Sequence, residues 1–171
     1  MKKIVMTALF AALLAAPVFA AETYVGISAG QNKMDYAAAP STTAFSLFGG
    51  YAFNEYIAGE LAYINFGSGD TSATTPVTLK GSAASISAVG SLPLGKAFAL
   101  FAKLGFATTS LDASTSGVTV SQTKSDTTYG LGAQYNATRN IGVRLGYDNY
   151  KVGDPTSKDS ALTSLGVLFK F

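Results

Sequence analysis

Apolar side chains recur at every second position along most of the chain after residue 20, which is the pattern of β-strands whose two faces meet different surroundings. The last segment shows the pattern most clearly, because one of its faces is mainly apolar and ends on an aromatic residue. That face holds Ala161, Thr163, Leu165, Val167, Phe169 and Phe171, whereas the opposite face holds Leu162, Ser164, Gly166, Leu168 and Lys170. The chain is therefore predicted to end in a β-strand.

The same period identifies eight strands in all. They are predicted at residues 24–32, 44–53, 56–66, 82–92, 97–111, 127–135, 141–150 and 161–171. In each clear case one face is bulky and apolar and the other is small or polar, with large exceptions on the small face at Phe48, Phe101, Leu162 and Leu168. No apolar run of about 18 residues follows residue 21, so the sequence offers no transmembrane helix beyond that point.

The connections between these strands alternate in length. Short turns are predicted at 54–55, 93–96 and 136–140, and longer segments rich in Ser, Thr, Asp, Lys and Gly at 33–42, 67–78, 112–126 and 151–159. Short turns at one end and long polar loops at the other are typical of outer-membrane barrels. An even number of strands returns the C-terminus to the side of the N-terminus, and we expect both termini in the periplasm.

The first twenty residues have the organisation of a secretory signal peptide. Lys2 and Lys3 precede an apolar run, and small residues surround a cleavage position after Ala20. An uncleaved anchor is the less favoured interpretation, since the apolar core is shorter than the roughly 20 residues that a helix needs to cross a bilayer. The predicted domains are a signal peptide at 1–20 and a barrel at 21–171.

The polarity of the two faces favours a membrane over water. A soluble barrel fills its interior with large apolar side chains, but here the small face carries Glu60, Lys103, Arg144 and Asp148. A Lys or Arg facing lipid at the bilayer midplane would cost about 2–4 kcal/mol. The prediction is an all-β, eight-stranded, antiparallel up-and-down transmembrane barrel with these charges in its lumen. Aromatic girdles are expected at the strand ends, from Tyr51, Phe53, Tyr56, Tyr63, Phe66, Tyr147 and Tyr150.

The composition limits the kinds of binding and catalysis that the chain can support. The chain carries 12 Lys and Arg against 10 Asp and Glu, so removal of the two leader lysines leaves a neutral domain with no sign of nucleic-acid binding. It has no Cys, so no thiol can serve as nucleophile or metal ligand, and it has no His, which removes the usual general base and the commonest metal ligand. The aspartates of the long segments do not have the spacing of a calcium loop. We therefore expect no catalytic residue, metal site or cofactor.

Three stretches, at 48–67, 92–107 and 129–153, resemble the outer-membrane β-barrel family typified by the transmembrane domain of OmpA. The resemblance implies a luminal salt-bridge network through Glu60, Lys103 and Arg144. Strand position agrees, because Glu60 and Arg144 lie on opposite strands, each four residues above a short turn. Phe169 and Phe171 resemble the C-terminal signal that such proteins present to the barrel-assembly machinery.

Three classes of function remain open. The first is a non-catalytic surface platform with polar loops, serving envelope integrity or adhesion as a surface antigen. The second is a narrow passive channel, and the third, disfavoured by the absence of His, is an outer-membrane enzyme. The expected partners are outer-membrane lipid, lipopolysaccharide, the assembly machinery through the C-terminal strand, and a host or cell-surface ligand that the sequence does not identify.

Overall fold

The computed structural model describes residues 22–34, 42–71, 77–115, 118–151 and 159–171. The predicted signal peptide lies outside the described residues. The described part of the chain forms eight β-strands: β1 Glu22–Met34, β2 Thr42–Ala52, β3 Ile57–Thr71, β4 Val77–Pro93, β5 Phe98–Thr115, β6 Val118–Asn136, β7 Ile141–Lys151 and β8 Asp159–Lys170. All eight predicted strands are present.

The strands form one closed barrel in which each pairs antiparallel with its neighbours in sequence. β8 closes the barrel by pairing with β7 on one side and β1 on the other, so that Phe169 lies opposite both Ile141 and Val25. Closure pairs the backbone polar groups of a sheet without help from water. The described segments contain no helix with the length and hydropathy needed to cross a membrane.

The two faces of the sheet have the predicted polarity. The bulky apolar side chains point outward and are widely exposed on the surface of the isolated chain, as at Leu104 (67 %) and Phe106 (65 %). The four large residues that broke the alternation, Phe48, Phe101, Leu162 and Leu168, are buried inside. The exceptions therefore fill the lumen rather than weaken the pattern.

Side-chain caps hold two of the three short turns. Asn54 Oδ1 accepts hydrogen bonds from the backbone N–H groups of Tyr56 and Ile57, both at 2.8 Å. Thr138 Oγ1 accepts from the N–H of Ile141 at 2.9 Å in the β6–β7 turn. Short polar side chains that bind the backbone two or three residues ahead stabilise tight turns, which accounts for the compact connections at this end.

The long connections are partly strand, and two loop predictions were wrong in extent. The predicted loop at 112–126 is mostly β-structure, because β5 and β6 pair as far as Thr115 opposite Val118. Likewise, β3 and β4 continue into the predicted loop at 67–78, as far as Thr71 opposite Val77. Thr and Val favour strands, and a register already fixed in the barrel extends through them. The central parts of the other two loops lie outside the described residues.

A β-bulge marks the place where β3 extends above its neighbour β2. The last β2–β3 pair is Phe45 with Asn65, and the β3–β4 register shifts between Asn65 and Ser68. Gly67 has a φ of 78°, and its N–H donates to Asn65 Oδ1 at 2.9 Å. An L-residue rarely adopts that φ, and a Cβ there would also meet the carbonyl oxygen of Thr43. Glycine is therefore required by the bulge.

Two of the expected girdle aromatics lie elsewhere. Phe66 and Tyr150 are buried in the lumen, with ring centroids 5.6 Å apart in a T-shaped contact. Both residues fall on the small face of their strands, so the alternation alone would have placed them in the lumen. Their position near a strand end led to the wrong prediction of a girdle. Tyr56 and Tyr147, by contrast, are exposed on the outer surface.

Candidate functional site in the barrel lumen

The lumen is filled in three layers. The layer at the short-turn end consists of Tyr24, Phe48, Ala58, Val89, Phe101 and Leu168. The layer at the opposite end consists of Ala44, Ile64, Phe66, Ala83, Ala107, Tyr150 and Leu162. Four charged side chains, Glu60, Lys103, Arg144 and Asp148, lie between them. An eight-stranded barrel is just wide enough to be filled by side chains, and this lumen follows that rule.

Glu60, on β3, is the centre of the charge network and is only 3 % exposed. Its Oε2 accepts a hydrogen bond from Arg144 Nη1, on β7 across the lumen, and another from the Tyr24 hydroxyl at 2.8 Å. Its Oε1 lies 3.1 Å from Lys103 Nζ, on β5. Both carboxylate oxygens are thus bound by cationic or hydroxyl donors, as a buried charge requires.

Lys103 connects Glu60 to the second carboxylate. Its Nζ lies 3.3 Å from Asp148 Oδ1, on β7, as well as 3.1 Å from Glu60. The four predicted luminal residues therefore form one continuous, formally neutral network of two cations and two anions. Charge balance matters here because an unpaired ion buried in a narrow lumen would be strongly destabilising.

Arg144 is held on all sides. Besides Glu60, it contacts Gln134 Oε1 through Nε at 3.2 Å and Nη2 at 3.0 Å. Its guanidinium lies about 5 Å from the ring centroids of three aromatic residues, Tyr24 (5.2 Å), Phe48 (5.1 Å) and Phe101 (4.7 Å). Arginine combines planar hydrogen bonding with stacking on aromatic faces, and both kinds of contact fix this side chain.

Glycines opposite the large luminal side chains provide the room for them. Gly26 pairs with Phe48 and Gly132 with Phe101 across neighbouring strands. A Cβ at either glycine would collide with the ring of its partner, and a Cβ at Gly130 would collide with the carboxylate of Asp148. The small luminal residues at these positions are thus complementary to the large ones.

Two cavities that Arg144 lines lie in the described part of the lumen. A cavity of about 30 Å³ lies among the charged side chains, bounded by Glu60, Lys103 and Asp148. A larger one, of about 180 Å³, lies at the short-turn end and is lined by Tyr24, Gln134 and Lys170 among others. A water molecule needs at least about 10–15 Å³ of such space. The first cavity therefore suits one or two waters, and the guanidinium separates it from the second.

The C-terminal aromatics lie outside the lumen. Phe169 and Phe171 are exposed on the outer surface, with ring centroids 5.0 Å apart. The N–H of Phe171 donates to the carbonyl of Thr23 at 2.9 Å, and Lys170 Nζ lies 3.0 Å from Glu22 Oε2. The end of β8 is therefore attached to β1, and both rings face the lipid side.

Several partners of the network were not foreseen from the sequence. Tyr24 and Gln134 bind the charged residues directly, and the three rings around Arg144 enclose it. Alternation places all of them on the small face, which is the signal that could have found them. Within the described ranges, no group of three or more acidic, His or Cys side chains is arranged to hold a metal ion.

A family model described as the outer membrane protein beta-barrel domain matches residues 6–171. No curated protein gives a significant sequence match.

Solved structures share the fold at low identity. Ail, the attachment invasion locus protein of Yersinia pestis, solved with the heparin analogue sucrose octasulfate, is 19 % identical, covering 88 % of this chain and 97 % of its own, with a TM-score of 0.64. Neisserial surface protein A is 18 % identical, covering 91 % and 100 %, with a TM-score of 0.65. The outer membrane protein OprG of Pseudomonas aeruginosa is 15 % identical, covering 89 % and 96 %, with a TM-score of 0.65. These similarities concern the fold alone.

Proposed function

Because the chain belongs to the outer membrane protein β-barrel family, and therefore to the bacterial outer membrane, we propose that it is a non-catalytic platform whose closed barrel presents polar segments at the cell surface. The observation that carries this proposal is the filled lumen. Two apolar layers enclose a neutral ion network, and the cavity inside that network measures only about 30 Å³. Such a barrel blocks free passage of solutes and serves as a rigid support.

Envelope integrity or adhesion is the role we assign to this platform. The fold is compatible with a role in adhesion, since Ail, which has a similar fold, is an attachment protein. Lipid, lipopolysaccharide, the assembly machinery acting on the C-terminal strand, and a surface ligand are the partners we propose. An enzymatic role is disfavoured by the absence of any His or Cys in the chain.

The proposed orientation has a cleaved signal peptide at 1–20, both termini in the periplasm, and the long β3–β6 strands projecting outward. Since the chain has no Cys, single-cysteine variants test it directly. A membrane-impermeant maleimide added to intact cells should label Gln122→Cys, which is exposed on β6, but not Lys96→Cys, which is exposed in the β4–β5 turn. Labelling of Lys96→Cys alone would show that the barrel has the opposite orientation.

Single-channel conductance in planar bilayers tests the closed lumen. The wild type should show no steady conductance, and Glu60→Gln, which removes the charge but keeps the size of the side chain, should produce openings because Lys103 and Arg144 lose a shared anion. Glu22→Gln, at the rim of the barrel, is the matched control and should remain closed. Folding of each variant is verified first by heat-modifiable gel mobility.

A narrow passive channel is the second candidate, favoured by the vestibule of about 180 Å³ that reaches Arg144 from the short-turn end. Steady wild-type conductance that does not respond to Glu60→Gln or Arg144→Ala would overturn the closed platform and establish the channel. Conductance that Arg144→Ala alone increases would place the barrier at the guanidinium between the two cavities.

A further inference from the structure

On the outer face of β5 and β6, the side chains change from apolar to hydroxyl-bearing between one cross-strand pair and the next. The apolar part of this face on β5 runs from Phe98 to Phe106, and both end residues are widely exposed. The next outward residue on β5, Thr108, is polar and exposed, and Ser110 and Asp112 follow it. On β6, Tyr129 is succeeded in the same direction by Thr127 and Ser125. The change defines a boundary on the lipid-facing surface.

Above this boundary the outward side chains are joined in pairs across the two strands. Three such pairs form a ladder: Thr108 Oγ1 with Ser125 Oγ at 2.8 Å, Ser110 Oγ with Thr123 Oγ1 at 3.2 Å, and Asp112 Oδ1 with Ser121 Oγ at 2.6 Å. Residues two apart on a strand lie on the same face, so the pairs form one continuous polar row. We name this row the hydroxyl ladder.

The ladder keeps hydrogen-bonding capacity for an outside partner. A hydroxyl has one hydrogen to donate and two lone pairs. In a pair of hydroxyls joined by one hydrogen bond, one hydrogen and several lone pairs remain. Thr108, Thr123 and Ser125 are exposed, so this capacity faces outward. The two hydroxyl pairs can therefore both donate and accept, whereas the Asp112–Ser121 pair, in which Ser121 donates its hydrogen, can only accept.

Its height relative to the membrane follows from the apolar part. Residues 98–106 make nine positions, and a transmembrane β-strand needs about 9–11 residues to cross the hydrocarbon layer. The ladder begins two residues later on the same face. The surface that lipid chains cover below Phe106 thus continues directly into the ladder, which lies at the level of the headgroups.

We propose that the hydroxyl ladder is a contact surface for the saccharide headgroups of glycolipid in the outer leaflet. Sugar hydroxyls donate and accept in the same way as Ser and Thr, and a carboxylate such as Asp112 is a good acceptor for them. Phosphate is the poorer match for the six ladder side chains themselves, because none of them is a cation and Asp112 would repel it. A cation does adjoin the ladder, since Lys80 lies opposite Asp112 on the outward face of β4, and the dephosphorylated control below tests its part. The proposal rests on the outward orientation proposed above for β3–β6.

The test compares stability in two membranes. The wild type and the variant Thr108→Val/Ser110→Ala/Thr123→Val/Ser125→Ala are folded into vesicles of phospholipid alone and of the same phospholipid with purified lipopolysaccharide. The wild type should unfold at a higher urea concentration when lipopolysaccharide is present. The variant should lose most of that increase while matching the wild type in phospholipid alone. An unchanged increase in the variant, or none in the wild type, overturns the proposal.

Three controls make the result specific. Thr127→Val/Thr163→Val removes two exposed hydroxyls outside the ladder and should keep the full increase. Enzymatically dephosphorylated lipopolysaccharide should also keep it; loss of the increase would mean that phosphate, not saccharide, is bound. If the quadruple variant folds poorly, Thr108→Val/Ser125→Ala should show a partial loss. The cysteine labelling above separates a reversed orientation from an unused ladder.

Discussion

In the described part of the barrel, an ion network in the lumen and an ion pair at the rim both connect strands, and they differ in burial rather than in chemistry. In the lumen, Glu60 joins β3 to β5 and β7 through Lys103 and Arg144, and its side chain is 2 % exposed. At the short-turn end, Glu22 joins β1 to β8 through Lys170, and its side chain is 49 % exposed. Each group links strands that are distant in sequence.

The difference shows where charge matters to this protein. A half-exposed ion pair typically adds only about 0–1 kcal/mol to stability, because water can replace the contacts that each charge loses. Water cannot replace them around a buried ion, so removal of one partner leaves the remaining charges uncompensated. The lumen is therefore the part of the barrel whose stability depends on charge, and the rim pair contributes little. The predictions below test this contrast.

Loss of Glu60 should have the largest effect. Glu60→Ala leaves Arg144 without its anion and Lys103 with Asp148 alone, and breaking a buried pair in this way costs about 3–5 kcal/mol. Equilibrium unfolding in urea, with the protein in phospholipid vesicles, measures the loss. A loss below about 1 kcal/mol would mean that water reaches the network and that burial does not separate the two sites.

A double-mutant cycle tests whether Glu60 and Arg144 stabilise each other directly. Glu60→Leu/Arg144→Met removes both members of one pair, while Lys103 and Asp148 keep each other at 3.3 Å. The double variant should lose less than the sum of the two single variants, since neither leaves the other unpaired. Additive losses would contradict a direct coupling between Glu60 and Arg144.

The space around the network should have the next largest effect. Gly132→Val would place a side chain against the Phe101 ring and the carbonyl oxygen of Leu145. Overpacking of this kind costs about 1–3 kcal/mol. Gly90→Val is the matched control, because a Cβ at Gly90 meets no atom within 4 Å. Unfolding in urea should show a loss for Gly132→Val alone, and equal losses would mean that β-structure itself disfavours valine at both positions.

Period two was enough to predict the strands, their inward and outward faces and the opposition of Glu60 and Arg144. These follow from the alternation because a closed sheet has only two faces and an even strand count fixes which strands are opposite. The luminal positions of Phe48, Phe101 and Leu168 obey the same rule. They appeared as exceptions only because all large apolar side chains were expected on the lipid-facing side of the sheet.

The ends of the strands could not be predicted in the same way. β5 and β6 run beyond the predicted strand ends into residues 112–115 and 118–126, which are rich in Ser and Thr, a composition shared by loops and by exposed strands. Cross-strand partners decide between the two, and the ladder pairs depend on a register that local composition does not contain. The contacts of Tyr24 and Gln134 with the charges likewise depend on side-chain reach across the lumen, which alternation leaves undetermined.

The rim pair should give the smallest effect. Glu22→Ala should cost less than about 1 kcal/mol, because Glu22 is half exposed and Lys170 can be solvated once its partner is gone. The loss should shrink further between low salt and 1 M salt, where screening acts over about 3 Å, whereas the loss in Glu60→Ala should change little. Unfolding in urea at both salt concentrations measures the two side by side. A salt-independent loss of several kcal/mol in Glu22→Ala would mean that attachment of β8 to β1, rather than burial, decides what an ion pair contributes to this barrel.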